Sequence, residues 1–159
     1  MKPFRIMFIC TGNICRSPLA HAVFQRMVDE TGLSDRIHVG SSGTDAYHVG
    51  EQADSRMRST AAAHGLDFSH RAQRLKRRDI EEYDLLLTMD ADNHRNTLAL
   101  CRSEDEARRV RMFRDFDPEG RGDVPDPWYG GISGFELVWD MVERTCAALL
   151  EDIRRRTAA

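Results

Sequence analysis

An apolar run, Ile6-Met7-Phe8-Ile9, leads straight into Cys10-Thr11-Gly12-Asn13-Ile14-Cys15-Arg16-Ser17-Pro18. The run has the length and flanks of a buried strand. Ser17 is a good N-cap and Pro18 a good first helical residue, so a helix is expected to start there. Strand, tight loop and helix N-terminus in direct succession make an anion site. The free backbone N–H groups of such a loop point inward, and the helix dipole adds roughly half a positive charge. A thiolate is favoured at a helix N-terminus and beside Arg. Arg16 adds a planar fork that can hold two oxygens of a phosphate. Asn13, in so tight a loop, is expected at positive φ. Cys-x5-Arg alone is a weak signal, and its context is what strengthens it. Among cysteines 10, 15, 101 and 146, only Cys10 has an arginine six positions on.

Beyond the loop, strands and helices alternate. A helix is expected from Pro18 to about Thr31, with Leu19, Val23 and Met27 at helical spacing and Gly32 as its stop. Ile37-His38-Val39 reads as a short strand running into Gly40-Ser41-Ser42-Gly43. A second helix is expected over about Asp54–His64, and Asp84–Met89 is the clearest buried strand. A helix near Ala91–Leu100 follows, capped by Asp90 or Asp92. Val110–Phe113 reads as a fourth strand. The last helix is expected near Ser133, where Ser133 and Glu136 form a capping box. Its apolar face is Phe135, Val138, Val142, Cys146, Leu149 and Ile153. This order implies an α/β fold: a single-domain three-layer sandwich, with a four-stranded parallel sheet and helices on both faces. Ligands in such sheets bind at the carboxyl ends of the strands, which puts Cys10, Ser41 and Met89-Asp90 on one edge.

Length and composition narrow the function. The 159 residues suit one core, and 41% hydrophobic and 31% charged residues are ordinary for a globular protein. The net charge of -3 does not suggest nucleic acid. No apolar stretch approaches membrane-spanning length, and Met1-Lys2-Pro3-Phe4-Arg5 lacks the features of a secretory signal. The cysteines form no CxxC pair and no metal-ligand spacing, so thiols in a reducing cytoplasm are expected. Two basic groups, Arg71/Arg74/Lys76/Arg77/Arg78 and Arg108/Arg109/Arg111/Arg114, read as solvated faces.

The second informative stretch is Asp123-Val124-Pro125-Asp126-Pro127-Trp128-Tyr129-Gly130-Gly131. Its prolines and glycines make it a loop. Two aromatics in a loop are well placed to wall a cleft.

CTGNICRSP resembles the phosphate loop of the low-molecular-weight protein tyrosine phosphatases, and DPWYG resembles that family's general-acid loop. The resemblance covers nearly the whole chain, residues 1–159, and implies one phosphotyrosine phosphatase domain. It makes Cys10 the nucleophile, Arg16 the phosphate binder and Asp126 the general acid and base. Thr11, Gly12, Asn13, Ile14, Cys15, Arg16 and Ser17 would line the phosphate. Ser41 and His70 would brace Asn13, and Ser17 would hydrogen-bond the thiolate. Tyr47, Trp128 and Tyr129 would wall the substrate cleft. The resemblance implies no cofactor and no metal. It implies a phosphotyrosine-containing protein as partner, a tyrosine kinase among the candidates, with no nucleic acid or membrane.

Two activities on the same fold compete. An arsenate reductase would need further cysteines to relay a disulfide, commonly after the second helix, and residues 66–100 contain none. Protein arginine phosphatases resemble this chain but place Thr where Ile14 stands.

Overall fold

The computed structural model describes residues 2–127 and 131–157. The apolar run forms β1 (Phe4–Cys10), flanked on both sides in a four-stranded sheet of order β2-β1-β3-β4. The others are β2 (Ile37–Gly43), β3 (Leu85–Thr88) and β4 (Val110–Met112), and every pairing is parallel. The helices are α1 (Arg16–Glu30), α2 (Ser55–Ala63), α3 (Arg77–Glu82), α4 (Ala91–Leu98), α5 (Glu104–Arg108) and α6 (Ile132–Thr157). Among the described residues no helix is long and apolar enough to cross a membrane.

Side chains of β1 alternate between two cores, as the pleat requires. Ile6, Phe8 and Cys10 join α1, α2 and α6 on one face. Met7 and Ile9 join Leu75, Ile80, Tyr83, Leu86 and Val110 on the other. Phe8 meets Phe24 and Phe113 edge-on, with ring centroids 5.7 and 5.5 Å away. The predicted face of α6, Phe135 through Ile153, is buried. The sheet therefore carries helices on both faces, as the alternation implied.

Several boundaries differ from expectation. β2 does not stop at Val39 but runs on through Gly43, pairing Met7–Cys10 with Gly40–Gly43. Small residues there are a packing requirement. A Cβ on Gly40 would come 2.5 Å from the Tyr83 hydroxyl, and one on Gly43 2.6 Å from the Thr11 carbonyl oxygen. α1 begins at Arg16 with Cys15 at the cap, so Ser17 is not the N-cap; its hydroxyl is turned into the loop instead. At α6, Ser133 lies inside the helix, and Glu136 is drawn to His64 Nε2, 2.8 Å away, rather than to a capping box. α3 and α5 were not anticipated. They bury Ile80 alone and nothing, respectively, so neither writes an apolar stripe into the sequence.

The second basic group is a solvated face only in part: Arg108 is exposed, whereas Arg109 and Arg114 turn inward. Arg109 donates to the carbonyls of Ile80 and Tyr83 at 3.0 and 2.7 Å, closing the end of α3. Arg114 and Arg144 share buried Asp117.

Candidate active site

The register sets the site. β1 ends at Cys10 opposite Gly43 of β2, and Ile9 lies opposite Thr88 of β3. The 10–16 loop, the 44–50 loop and the start of α4 therefore lie at the carboxyl edge. The two loops, with Asp126, form a cleft there of about 430 Å³ lined by Cys10, Thr11, Gly12, Ile14, Cys15, Arg16, Asp45, Tyr47, His48 and Asp126. A larger cleft of about 960 Å³, lined by Lys2, Arg5, Asp35, Glu82 and Asp84 among others, lies at the opposite strand ends and holds no nucleophile. Chemistry, not size, marks the site.

Asn13 shapes the loop. It has φ 58°, and among the described residues it is the only non-glycine at positive φ. Its Oδ1 accepts from Gln73 N–H at 2.9 Å and faces His70 Nε2 at 2.7 Å. The main-chain N–H can only donate, which fixes the amide orientation and makes Nε2–H the ring's donor. Asn13 Nδ2 donates to Ser17 Oγ at 2.8 Å. That leaves the Ser17 proton for Cys10 Sγ at 2.9 Å or the Ser42 carbonyl at 3.3 Å. A Cys10 thiolate would win that proton, because a charged acceptor roughly doubles the strength of the bond.

Ser41 departs from expectation. Its hydroxyl lies 3.1 Å from His21 Nδ1, and its carbonyl accepts from Gln73 Nε2 at 2.8 Å. It does not bond Asn13 directly but reaches it through Gln73, a residue that sequence reasoning missed. The polar Gln in a basic run gave no signal of its own.

Arg16 is 3% exposed. Its NH1 donates to Asp90 Oδ2 at 2.7 Å and to the Val124 carbonyl at 2.9 Å, and its NH2 lies 3.7 Å from Asp126 Oδ2. Burial opposes its charge, while Cys10, Asp90 and Asp126 reinforce it. Sequence places Asp90 at the ligand edge and offers it, or Asp92, as the cap of the next helix. Asp90 does cap α4, accepting from Asn93 N–H at 2.8 Å, but its other oxygen orients Arg16. Asn93 Oδ1 accepts in turn from the N–H groups of Met89 and Asp90.

The two loop cysteines differ in environment. Burial, with Asp54 and Cys10 adding to it, pushes the Cys15 thiol well above the ordinary range. Cys15 is thus held as a neutral thiol. His21 is pushed down to about 4 by burial, then by His70 and His38. His70 is also lowered by burial, though its bond to Asn13 works the other way.

Tyr47 is 83% exposed and lines the cleft. Trp128 and Tyr129 lie outside the described residues. Among the described residues no three His, Cys, Asp or Glu gather as a metal-binding group.

The family model for low molecular weight phosphotyrosine protein phosphatase matches residues 5–159. The chain belongs to that family. A low molecular weight protein-tyrosine-phosphatase of Streptomyces coelicolor is 40% identical over 96% of this chain and 95% of its own. A protein tyrosine phosphatase of Entamoeba histolytica, solved with Hepes in its active site, superposes with a TM-score of 0.92 at 33% identity, covering 96% of this chain and 98% of that one. An arginine phosphatase of Geobacillus stearothermophilus superposes at 0.83 with 26% identity, covering 98% and 96%. This low molecular weight phosphatase thus shares its fold with enzymes named for two different phospho-residues.

Proposed function

We propose that this phosphatase hydrolyses phosphotyrosine in proteins through a cysteinyl-phosphate intermediate. The observation that carries the reading is the hydrogen-bonded chain His70–Asn13–Ser17–Cys10. It fixes a nucleophile at the mouth of a helix N-terminus, with buried Arg16 in the same loop. In this mechanism the phosphoryl group sits on the loop N–H groups and the Arg16 fork, in line with Cys10 Sγ. The thiolate attacks phosphorus as the P–O bond to the phenol breaks, and Asp126 protonates the leaving oxygen. The same Asp126, now a base, takes a proton from water. That water attacks the phosphocysteine, and the thiolate leaves to the Ser17 hydroxyl. Arg16 and the loop dipoles stabilise the charge that develops on the equatorial oxygens.

Phosphotyrosine fits the cleft better than phosphoarginine. Tyr47 offers a ring for the substrate ring to pack against. Ile14 lines the cleft, nearly buried, and offers a guanidinium no hydrogen-bond acceptor from its side chain. The phosphoprotein substrate, any partner kinase and a cytoplasmic setting belong to this same reading.

The test has two parts. Cys10→Ser is expected to abolish aryl phosphatase turnover while the protein stays folded and still binds inorganic phosphate; turnover retained in that variant refutes the mechanism. Peptides differing only in the phospho-residue then report specificity. We expect kcat/KM for phosphotyrosine to exceed that for phosphoarginine and phosphoserine by about a hundredfold or more, the scale on which an apolar pocket discriminates. Ile14→Thr is expected to shift the ratio toward phosphoarginine.

A further inference from the structure

Away from the phosphate loop, a buried ionic cluster grips the entry to the Asp126 loop. Asp117 closes the 3-10 turn Phe113–Phe116 and is 7% exposed. Its Oδ2 accepts from Arg114 Nε at 2.9 Å and from Arg144 NH2 at 3.1 Å, and its Oδ1 accepts from Arg144 Nε at 2.9 Å. Arg114 does not stop at Asp117. Its NH1 reaches on to the carbonyl of Asp123 at 3.1 Å and passes beside Gly122, where an added Cβ would meet it at 3.5 Å. Gly122 has φ 135°, a conformation other residues rarely adopt, and so lets the chain fold over the guanidinium.

Asp123 and Val124 are held from the sheet side as well. Val124 N–H donates to the Met89 carbonyl at 2.7 Å, and the Val124 carbonyl accepts from Arg16. Asp123 Oδ1 accepts from Ala91 N–H at 3.0 Å. Arg114 supplies the hold from the other side. Arg144 belongs to α6, the helix that follows the loop's exit, so Asp117 ties the element after the loop to the arginine before it.

We propose that Arg114, clamped by Asp117, is a positioning residue that sets where Asp126 stands over Cys10. This deepens the proposed function and rests on Asp126 being the general acid. Arg114 bonds the Asp117 carboxylate and the Asp123 carbonyl, three residues before Asp126. It acts through the backbone at 123–124, so its loss should weaken proton donation without weakening phosphate binding. A misplaced acid matters most when the leaving oxygen is most basic.

The experiment compares Arg114→Lys, Arg114→Met and Asp126→Ala on two substrates, 4-nitrophenyl phosphate and phenyl phosphate. The phenol resembles tyrosine, with a pKa of about 10. Arg114→Lys keeps a cation for Asp117 but gives up the fork that spans Asp117 and Asp123, so it reports on positioning even where Arg114→Met fails to fold. We expect its thermal midpoint to stay close to the parent and its affinity for inorganic phosphate to be unchanged. We expect kcat/KM to fall about tenfold on phenyl phosphate and less than twofold on the nitrophenyl ester, a fraction of a general acid's usual 10²–10⁴ contribution. An equal fall on both substrates, a parallel loss of phosphate affinity, or no fall at all overturns the proposal. Asp126→Ala separates the two layers. If it shows no leaving-group dependence, the acid assignment fails and the positioning role with it. If it does and Arg114→Lys does not, only the positioning role fails.

Discussion

Ser17 shows how little a residue's type says about its task. As a sequence letter it is an N-cap; in the structure the cap falls on Cys15, and the Ser17 hydroxyl is enclosed among Cys10, Asn13 and Ser42. Asn13 Nδ2 saturates one lone pair of that hydroxyl, which frees its proton for the sulfur. In the proposed cycle the partner of that proton is the thiolate, and Ser17→Ala then removes a hydrogen bond to a charged group, worth about 1.5–3 kcal/mol. The thiolate is both nucleophile and leaving group in the proposed cycle. We therefore expect kcat for an aryl phosphate to fall about tenfold or more in Ser17→Ala, with KM changing much less, since about 1.4 kcal/mol is tenfold. Steady-state kinetics with inorganic phosphate as competitive inhibitor measure both. An unchanged kcat would remove Ser17 from the cycle. Arg16 makes the complementary point: the sequence marked it as a phosphate fork but could not show that Asp90, placed 74 residues later, holds the fork in plane.

At the scale of elements, what was legible followed from periodicity. β1, β3, α1, α2 and α6 each bury a run or stripe, and the stripe is visible in the letters. α3 and α5 bury almost nothing, so no pattern announces them. β2 was half legible, because its second half is Gly-Ser-Ser-Gly and reads as a turn. Those small residues answer to neighbours remote in sequence, Tyr83 on one side and the phosphate loop on the other. The phosphate loop was legible because its motif is local, whereas Gln73 and Asp90 reach Asn13 and Arg16 from 60 and 74 positions away, and Arg114 acts through the Asp123 carbonyl. Gly43 gives a test of this reading. A methyl there would meet the Thr11 carbonyl oxygen at 2.6 Å and Asn13 N at 3.0 Å, both backbone, so the loop itself must move. Gly43→Ala should therefore weaken phosphate binding about tenfold or more, beyond the roughly 1–3 kcal/mol of stability that overpacking costs. Gly40→Ala, on the same strand, should lose stability against Tyr83 while keeping phosphate affinity. Inhibition constants and thermal midpoints of the two variants decide it, and equal phosphate affinities would contradict the account.

For the whole molecule, the polar network behind the phosphate loop links folding to pH. His21 and His70 meet edge to face with ring centroids 6.2 Å apart, His21 against Ser41 and His70 against Asn13. Burial holds His21 neutral in the folded state down to about 4, against 6.5 for an ordinary imidazole. A group whose folded pKa is lowered binds fewer protons folded than unfolded. Its contribution is fully present above the unfolded pKa, so stability falls as pH drops below 6.5 and the loss levels off below about 4. Taken to completion the His21 contribution is roughly 3 kcal/mol. His70 adds to it in the same direction. Asp117 lies outside this window. Burial pushes it up, but the bonds from Arg144, Glu119 N–H and Arg114 prevail and hold it at about 2, so its own loss comes only as pH falls below 3.8. Urea unfolding at pH 7.5, 6.0, 5.0 and 4.2, within about the range where histidines titrate, reads the slope directly. We expect the parent to lose stability steadily through this window. His21→Gln keeps a partner for Ser41 but no titratable ring, and its curve should be flatter by about 2 kcal/mol or more between the end points. Parallel curves for parent and variant would mean that His21 is protonated in the folded protein at no cost, and the buried imidazole pair would then carry no linkage between pH and the catalytic loop.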